Sequence, residues 1–146
     1  MAAVIPAART DRNSAIAHEE LLAKAKTGVI DLYFTGDSIT RRWGALDYPE
    51  LLANWNENFH GWNAANFGWG GDRTQNILWR LENGELDGVA PRVIVVQAGT
   101  NNLERGADAA WQIESITAGI RAIVDASLAR APDALIVLTT AGASTS

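Results

Sequence analysis

The sequence predicts a three-layer α/β/α domain built around a parallel sheet. Three observations carry that reading. Apolar runs at residues 29–35, 64–67, 92–97 and 134–139 alternate with stretches of helical periodicity. Each run is apolar at successive positions rather than at every second one, as strands are when helices cover both faces of their sheet. Each of the first three runs ends in a turn-forming segment: Gly36-Asp37-Ser38, Gly68-Trp69-Gly70-Gly71-Asp72 and Gly99-Thr100-Asn101-Asn102.

Taken in order, residues 1–12 read as a loose arm ahead of one domain spanning 13–146. Ile16, Leu21, Leu22 and Ala25 share one face of a helix over 13–26, with Gly28 as its stop. The first strand leads through Ser38 into a helical stretch. The second leads into a helix from Thr74, taken as its N-cap, to Asn83. The third, after Pro91, precedes a long helix whose Trp111, Ile113, Ile116, Ile120, Ile123, Val124 and Leu128 repeat at helical period. Ala131-Pro132-Asp133 turns into the fourth. No repeat or internal boundary interrupts the series, and the expected strand order is flavodoxin-like, 2-1-3-4-5.

Composition narrows the function. A net charge of −5 and the absence of a basic cluster beyond Arg41-Arg42 argue against a nucleic-acid partner. Without cysteine there is no thiolate metal site or disulfide, and the compartment stays open. No H-E-x-x-H or comparable group suggests a metal. Gly68-Trp69-Gly70-Gly71 has neither dinucleotide-loop spacing nor a phosphate-loop lysine. No run is long enough for a membrane span, which takes about 18 apolar residues, and the first ten residues do not read as a signal peptide. The expectation is a soluble chain working without metal or cofactor.

Ligands of parallel α/β sheets bind beyond the carboxyl ends of the strands, where the three loops lie. Ser38 alone reads equally well as a helix cap. The other two loops change its meaning, because the Gly70-Gly71 backbone and the Asn101 side-chain amide are fixed donors of the kind acyl transfer needs around a developing oxyanion. The six tryptophans are expected mostly in the core, with Trp69 the one placed near a substrate.

The blocks Gly36-Asp37-Ser38-Ile39, Asn66-Phe67-Gly68-Trp69-Gly70-Gly71-Asp72 and Gly99-Thr100-Asn101-Asn102 resemble the first three signature blocks of the GDSL/SGNH hydrolases. The stretch 78–86, LWRLENGEL, is similar to the platelet-activating-factor acetylhydrolase subunit branch. The resemblance implies Ser38 as nucleophile, with its own N–H, that of Gly71 and the Asn101 side chain as the oxyanion hole. It also implies that Asp37 braces the turn and that short acyl esters are the substrates.

The same resemblance implies a D-x-x-H block after a fifth strand, and the 146 residues contain none. His18 precedes the first strand and His60 the second, and surface or packing roles are expected for both. Two other readings therefore stand: an impaired, truncated protein of this fold that binds ligands, and half of a site completed by another chain. Without a fifth strand the fourth would be an edge, bare of Lys and Pro, so a homodimer through the run that begins at Leu135 and ends at Thr139 is expected.

Overall fold

The computed structural model describes residues 2–139. Four parallel strands, β1 (Leu32–Gly36), β2 (Ala64–Asn66), β3 (Val93–Gln97) and β4 (Leu135–Leu138), lie in the order β2-β1-β3-β4. This is the first part of the flavodoxin-like order. The helices are α1 (Arg12–Ala25), α2 (Ser38–Arg42), α3 (Pro49–Phe59), α4 (Thr74–Arg80) and α5 (Ala109–Arg130).

The register sets the two faces. Tyr33 pairs with Ile94 and Ile94 with Ile136, and their side chains point into the core formed with α1, α4 and α5. Tyr33, Phe67, Ile77, Leu81, Leu86, Ile94, Val96 and Ile123 are fully buried there. Phe34, Val95 and Val137 alternate to the other face. There Phe34 meets Trp43, Trp55 and Phe59 edge-on, with ring centroids 5.6, 5.0 and 5.1 Å away. Among the described residues this second layer covers β1, and Leu135 and Val137 of β4 stand exposed at 64% and 39%.

Several boundaries differ from the sequence expectation. Strand β1 begins at Leu32 because residues 29–31 precede the pairing with β2, and Val29 is exposed. Helix α3, begun by Pro49, was not expected: it has no fully buried residue, and its apolar stripe is the half-buried Leu52, Trp55 and Phe59. Helix α4 is capped by Arg73 rather than Thr74, whose N–H is taken by Asn102 Oδ1 at 2.9 Å. It ends at Arg80 and continues as a wide turn, Leu81–Glu85, which folds Glu85 back beneath Arg80. Trp62 and Trp111 are exposed, contrary to the core role expected for most tryptophans.

The stretch read as a loose arm is docked. Thr74 Oγ1 donates to Ala3 O, Ala7 N–H to Gln75 O, and Asn76 Nδ2 to Ala7 O. Residues 140–146 lie outside the described residues.

Candidate active site

Ser38 opens α2 directly after β1, at the carboxyl edge of the sheet. Asp37 caps that helix: its Oδ1 accepts from Ile39 N–H at 2.9 Å, and its Oδ2 from Gln97 Nε2 at 3.3 Å. Gln97 Oε1 accepts from Thr40 Oγ1 on the same helix. The end of β3 thus fixes the turn that presents Ser38. Ser38 Oγ has no hydrogen-bond partner among the described residues.

The second loop is laid against the first. Trp69 N–H donates to Gly36 O at 3.0 Å, and Gly70 approaches so closely that a Cβ there would sit 3.7 Å from Ser38 Cβ. Gly68 packs on α2 itself: a Cβ would fall 2.5 Å from Arg41 N, so no larger residue fits. Gly71 has φ +80°, the left-handed region that glycine enters without strain. Its N–H finds no acceptor among the described residues.

The third loop closes on the second. Asn101 Nδ2 donates to Asp72 O at 3.0 Å, which uses one of its two amide hydrogens. Asn102 is fully engaged elsewhere, accepting from Thr74 N–H and donating to Thr74 Oγ1 and Gln75 Oε1. The three expected blocks are therefore tied into one edge by Trp69 N–H to Gly36 O and Asn101 Nδ2 to Asp72 O.

A buried ionic hub supports this edge from below. Arg80 Nε meets Asp72 Oδ2 at 2.7 Å, and its Nη1 meets Glu85 Oε1 and donates to Phe67 O. Its Nη2 reaches Gly36 O. One guanidinium thereby holds the carbonyls on both sides of the site. Burial alone would weaken its charge, but the carboxylates of Glu85 and Asp72 raise its pKa beyond the ordinary arginine value. Burial raises the Asp72 carboxyl above the usual range, against the opposing pull of Arg80 and Arg9. Tyr33, whose hydroxyl donates to Glu85 O, is pushed well up by burial and by Glu85.

Among the described residues neither histidine bonds Ser38. His18 Nδ1 bonds Glu85 Oε2 at 2.6 Å and its ring lies 4.8 Å from that of Trp79. His60 is exposed at the end of α3, before β2. Trp69 is half-buried, with its indole N–H on Ser14 Oγ at 2.8 Å and Arg41 over its ring. It borders a cavity of about 240 Å³ shared with Arg9, Ser14, His18 and Trp79.

The GDSL-like lipase/acylhydrolase family model matches residues 34–146. The chain belongs to that family. Among its relatives, the alpha1 subunit of platelet-activating factor acetylhydrolase IB from Bos taurus is 40% identical over 121 residues, covering 83% of this chain and 47% of the relative. The alpha2 subunit from Rattus norvegicus is equally identical over the same length, with 48% of it covered. The chain spans about half the length of these curated relatives. In structure it is similar to an acylhydrolase from Bacteroides fragilis NCTC 9343, with a TM-score of 0.62 at 19% identity, over 89% of this chain and 58% of that one.

Sequence reasoning on this GDSL-like chain missed Gln97, Arg80 and Arg9. Gln97 is the only polar residue in β3 apart from backbone, at the strand end facing Asp37. Arg80 was visible as a charge inside an apolar helix, and its burial was not. Arg9 lies in the arm, where no periodicity points to a contact.

Proposed function

We propose that this chain carries the nucleophile and the oxyanion donors of a serine carboxylic ester hydrolase, with short acyl groups such as acetyl as its substrates. What supports the reading is that three groups left without partners among the described residues, Ser38 Oγ, Gly71 N–H and the second Asn101 amide hydrogen, stand in three loops tied together at one sheet edge. In this reading Ser38 Oγ adds to the ester carbonyl as a base takes its proton. The oxyanion accepts hydrogen bonds from Ser38 N–H, Gly71 N–H and Asn101 Nδ2. The intermediate collapses to acyl-Ser38 as the alcohol leaves with a proton, and water then releases the acid and restores the hydroxyl.

Asp37 acts through the turn, because its carboxylate is buried and occupied by Ile39 N–H and Gln97. Trp69 is the residue of the second loop that we place against substrate, because it adjoins Gly70, which lies beside Ser38. The acetyl preference rests on the names of the acetylhydrolase relatives.

The base is assigned to an Asp and His outside the 146 residues, since both histidines present are placed elsewhere. A second reading, ligand binding with little turnover, is favoured by that same observation. The test is a chimera joining this chain to the unmatched remainder of the bovine alpha1 subunit, assayed on a chromogenic acetate ester. Turnover that vanishes in Ser38→Ala supports the hydrolase. Acetate binding with no turnover in a folded chimera supports the second reading.

A further inference from the structure

The peptide bond between Gly70 and Gly71 is the central one of a turn closed by Asp72 N–H on Trp69 O at 3.4 Å. Neither residue has a side chain, and Gly71 sits at φ +80°. In the proposed reading the Gly71 N–H serves the oxyanion beside Ser38; with this peptide plane turned over, the Gly70 carbonyl would take its place. A carbonyl oxygen there would repel the developing oxyanion instead of donating to it.

One contact opposes that rotation. Arg9 Nη1 donates to Gly70 O at 3.2 Å, and the same nitrogen donates to Asp72 Oδ1 at 3.1 Å. In a trans peptide the C=O and N–H point in opposite directions. A donor fixed on the Gly70 carbonyl therefore fixes the Gly71 N–H on the far side. A cationic donor on that carbonyl also polarises the amide and strengthens its N–H as a donor. Asp72 in turn is held from within by Arg80, and its backbone carbonyl takes the Asn101 amide. Arg9 thus grips the peptide that bears one oxyanion donor and the residue that orients another.

We propose that Arg9 is a positioning residue, a guanidinium clamp from the N-terminal arm that sets the orientation of the Gly70–Gly71 peptide for oxyanion binding. This rests on the hydrolase reading of the same site. Arg9 lies in the N-terminal arm, ahead of the span of the family match. Asp11 Oδ1, 3.2 Å from Arg9 Nε, holds the guanidinium from its other side.

Two readouts on the isotope-labelled 146-residue chain test the clamp. One is the Gly70 carbonyl ¹³C and Gly71 amide ¹H resonances. The other is the rate at which a fluorophosphonate labels Ser38 with imidazole supplied as base. Arg9→Ala is expected to move both resonances in the sense of lost hydrogen bonding and to slow labelling roughly tenfold or more, less than the 10²–10³ that loss of a donor itself costs. Arg9→Lys should recover part of both effects, and Arg12→Ala, an exposed arginine three positions on, neither. A merely structural loss would move resonances throughout α1 and would not be recovered by lysine. Unmoved Gly70 and Gly71 resonances, or equal labelling of Arg9→Ala and the unaltered chain, overturn the clamp and leave the hydrolase reading standing. Absence of any Ser38 labelling in the unaltered chain overturns both.

Discussion

At the residue scale, Asn101 and Asn102 show how adjacent identical side chains divide their work. Asn101 spends one amide hydrogen on Asp72 O and keeps the other, whereas Asn102 spends everything on the start of α4. Asn101→Ala should cut turnover of the chimera by about 10²–10³-fold with little change in unfolding midpoint. Asn102→Ala should lower stability by about 1–2 kcal/mol, because it strands Thr74 N–H, and alter turnover far less. Steady-state kinetics beside urea denaturation checks both, and the reverse order would mean that the third loop is misregistered. The placement of Ser38, Gly71 and Asn101 in three loops at one sheet edge was legible because backbone turns and short motifs are local in sequence. Arg80 was not, since its partners lie at Gly36, Phe67, Asp72 and Glu85 and meet only in the folded chain. Arg80→Met leaves Asp72 and Glu85 buried without their shared cation, and should cost about 3–5 kcal/mol in the same denaturation experiment.

Elements were legible where one apolar face dominates. The four strands and the helices α1 and α5 follow from periodicity, to within a few residues at the ends. Helix α3 escaped although Leu52, Trp55 and Phe59 repeat at i, i+3 and i+7, because that stripe is short and none of its residues is fully buried. The arm escaped for a different reason: its backbone hydrogen bonds to Gln75 and Asn76 leave no pattern in its side chains. At the start of α1, Asp11 accepts from the Ser14 hydroxyl and N–H, and these bonds hold its carboxyl below the ordinary 3.8. A lowered folded-state pKa makes this cap complete above that ordinary value, and it weakens as pH falls through the lower folded one. Asp11→Asn, which caps without titrating, should therefore differ from the parent chain by a constant amount above about pH 4 and by a shrinking one below it, read from thermal unfolding against pH.

At the largest scale, the sheet formed by the described residues has β4, its least protected strand, at one end. Leu135, Val137 and Leu138 are exposed, while Ile136 packs into the core, so the sequence expectation of an apolar edge holds for three of these four side chains among the described residues. We propose that this edge mediates self-association of the 146-residue chain. Sedimentation at tens of micromolar should show a dimer or larger species, and Val137→Lys or Leu138→Lys should shift it to monomer without unfolding it. Ile136→Lys would confuse the two effects by breaking the core. In the proposed function, Ser38 is the nucleophile of a site assembled from three strand-end loops. Peptide mass mapping after fluorophosphonate treatment of the 146-residue chain, with imidazole as base, tests it most directly. An adduct is expected on Ser38, absent in Ser38→Ala and slower to form in Asn101→Ala. An adduct on Ser14 or another serine with Ser38 unmodified, or labelling unchanged in Asn101→Ala, would contradict it.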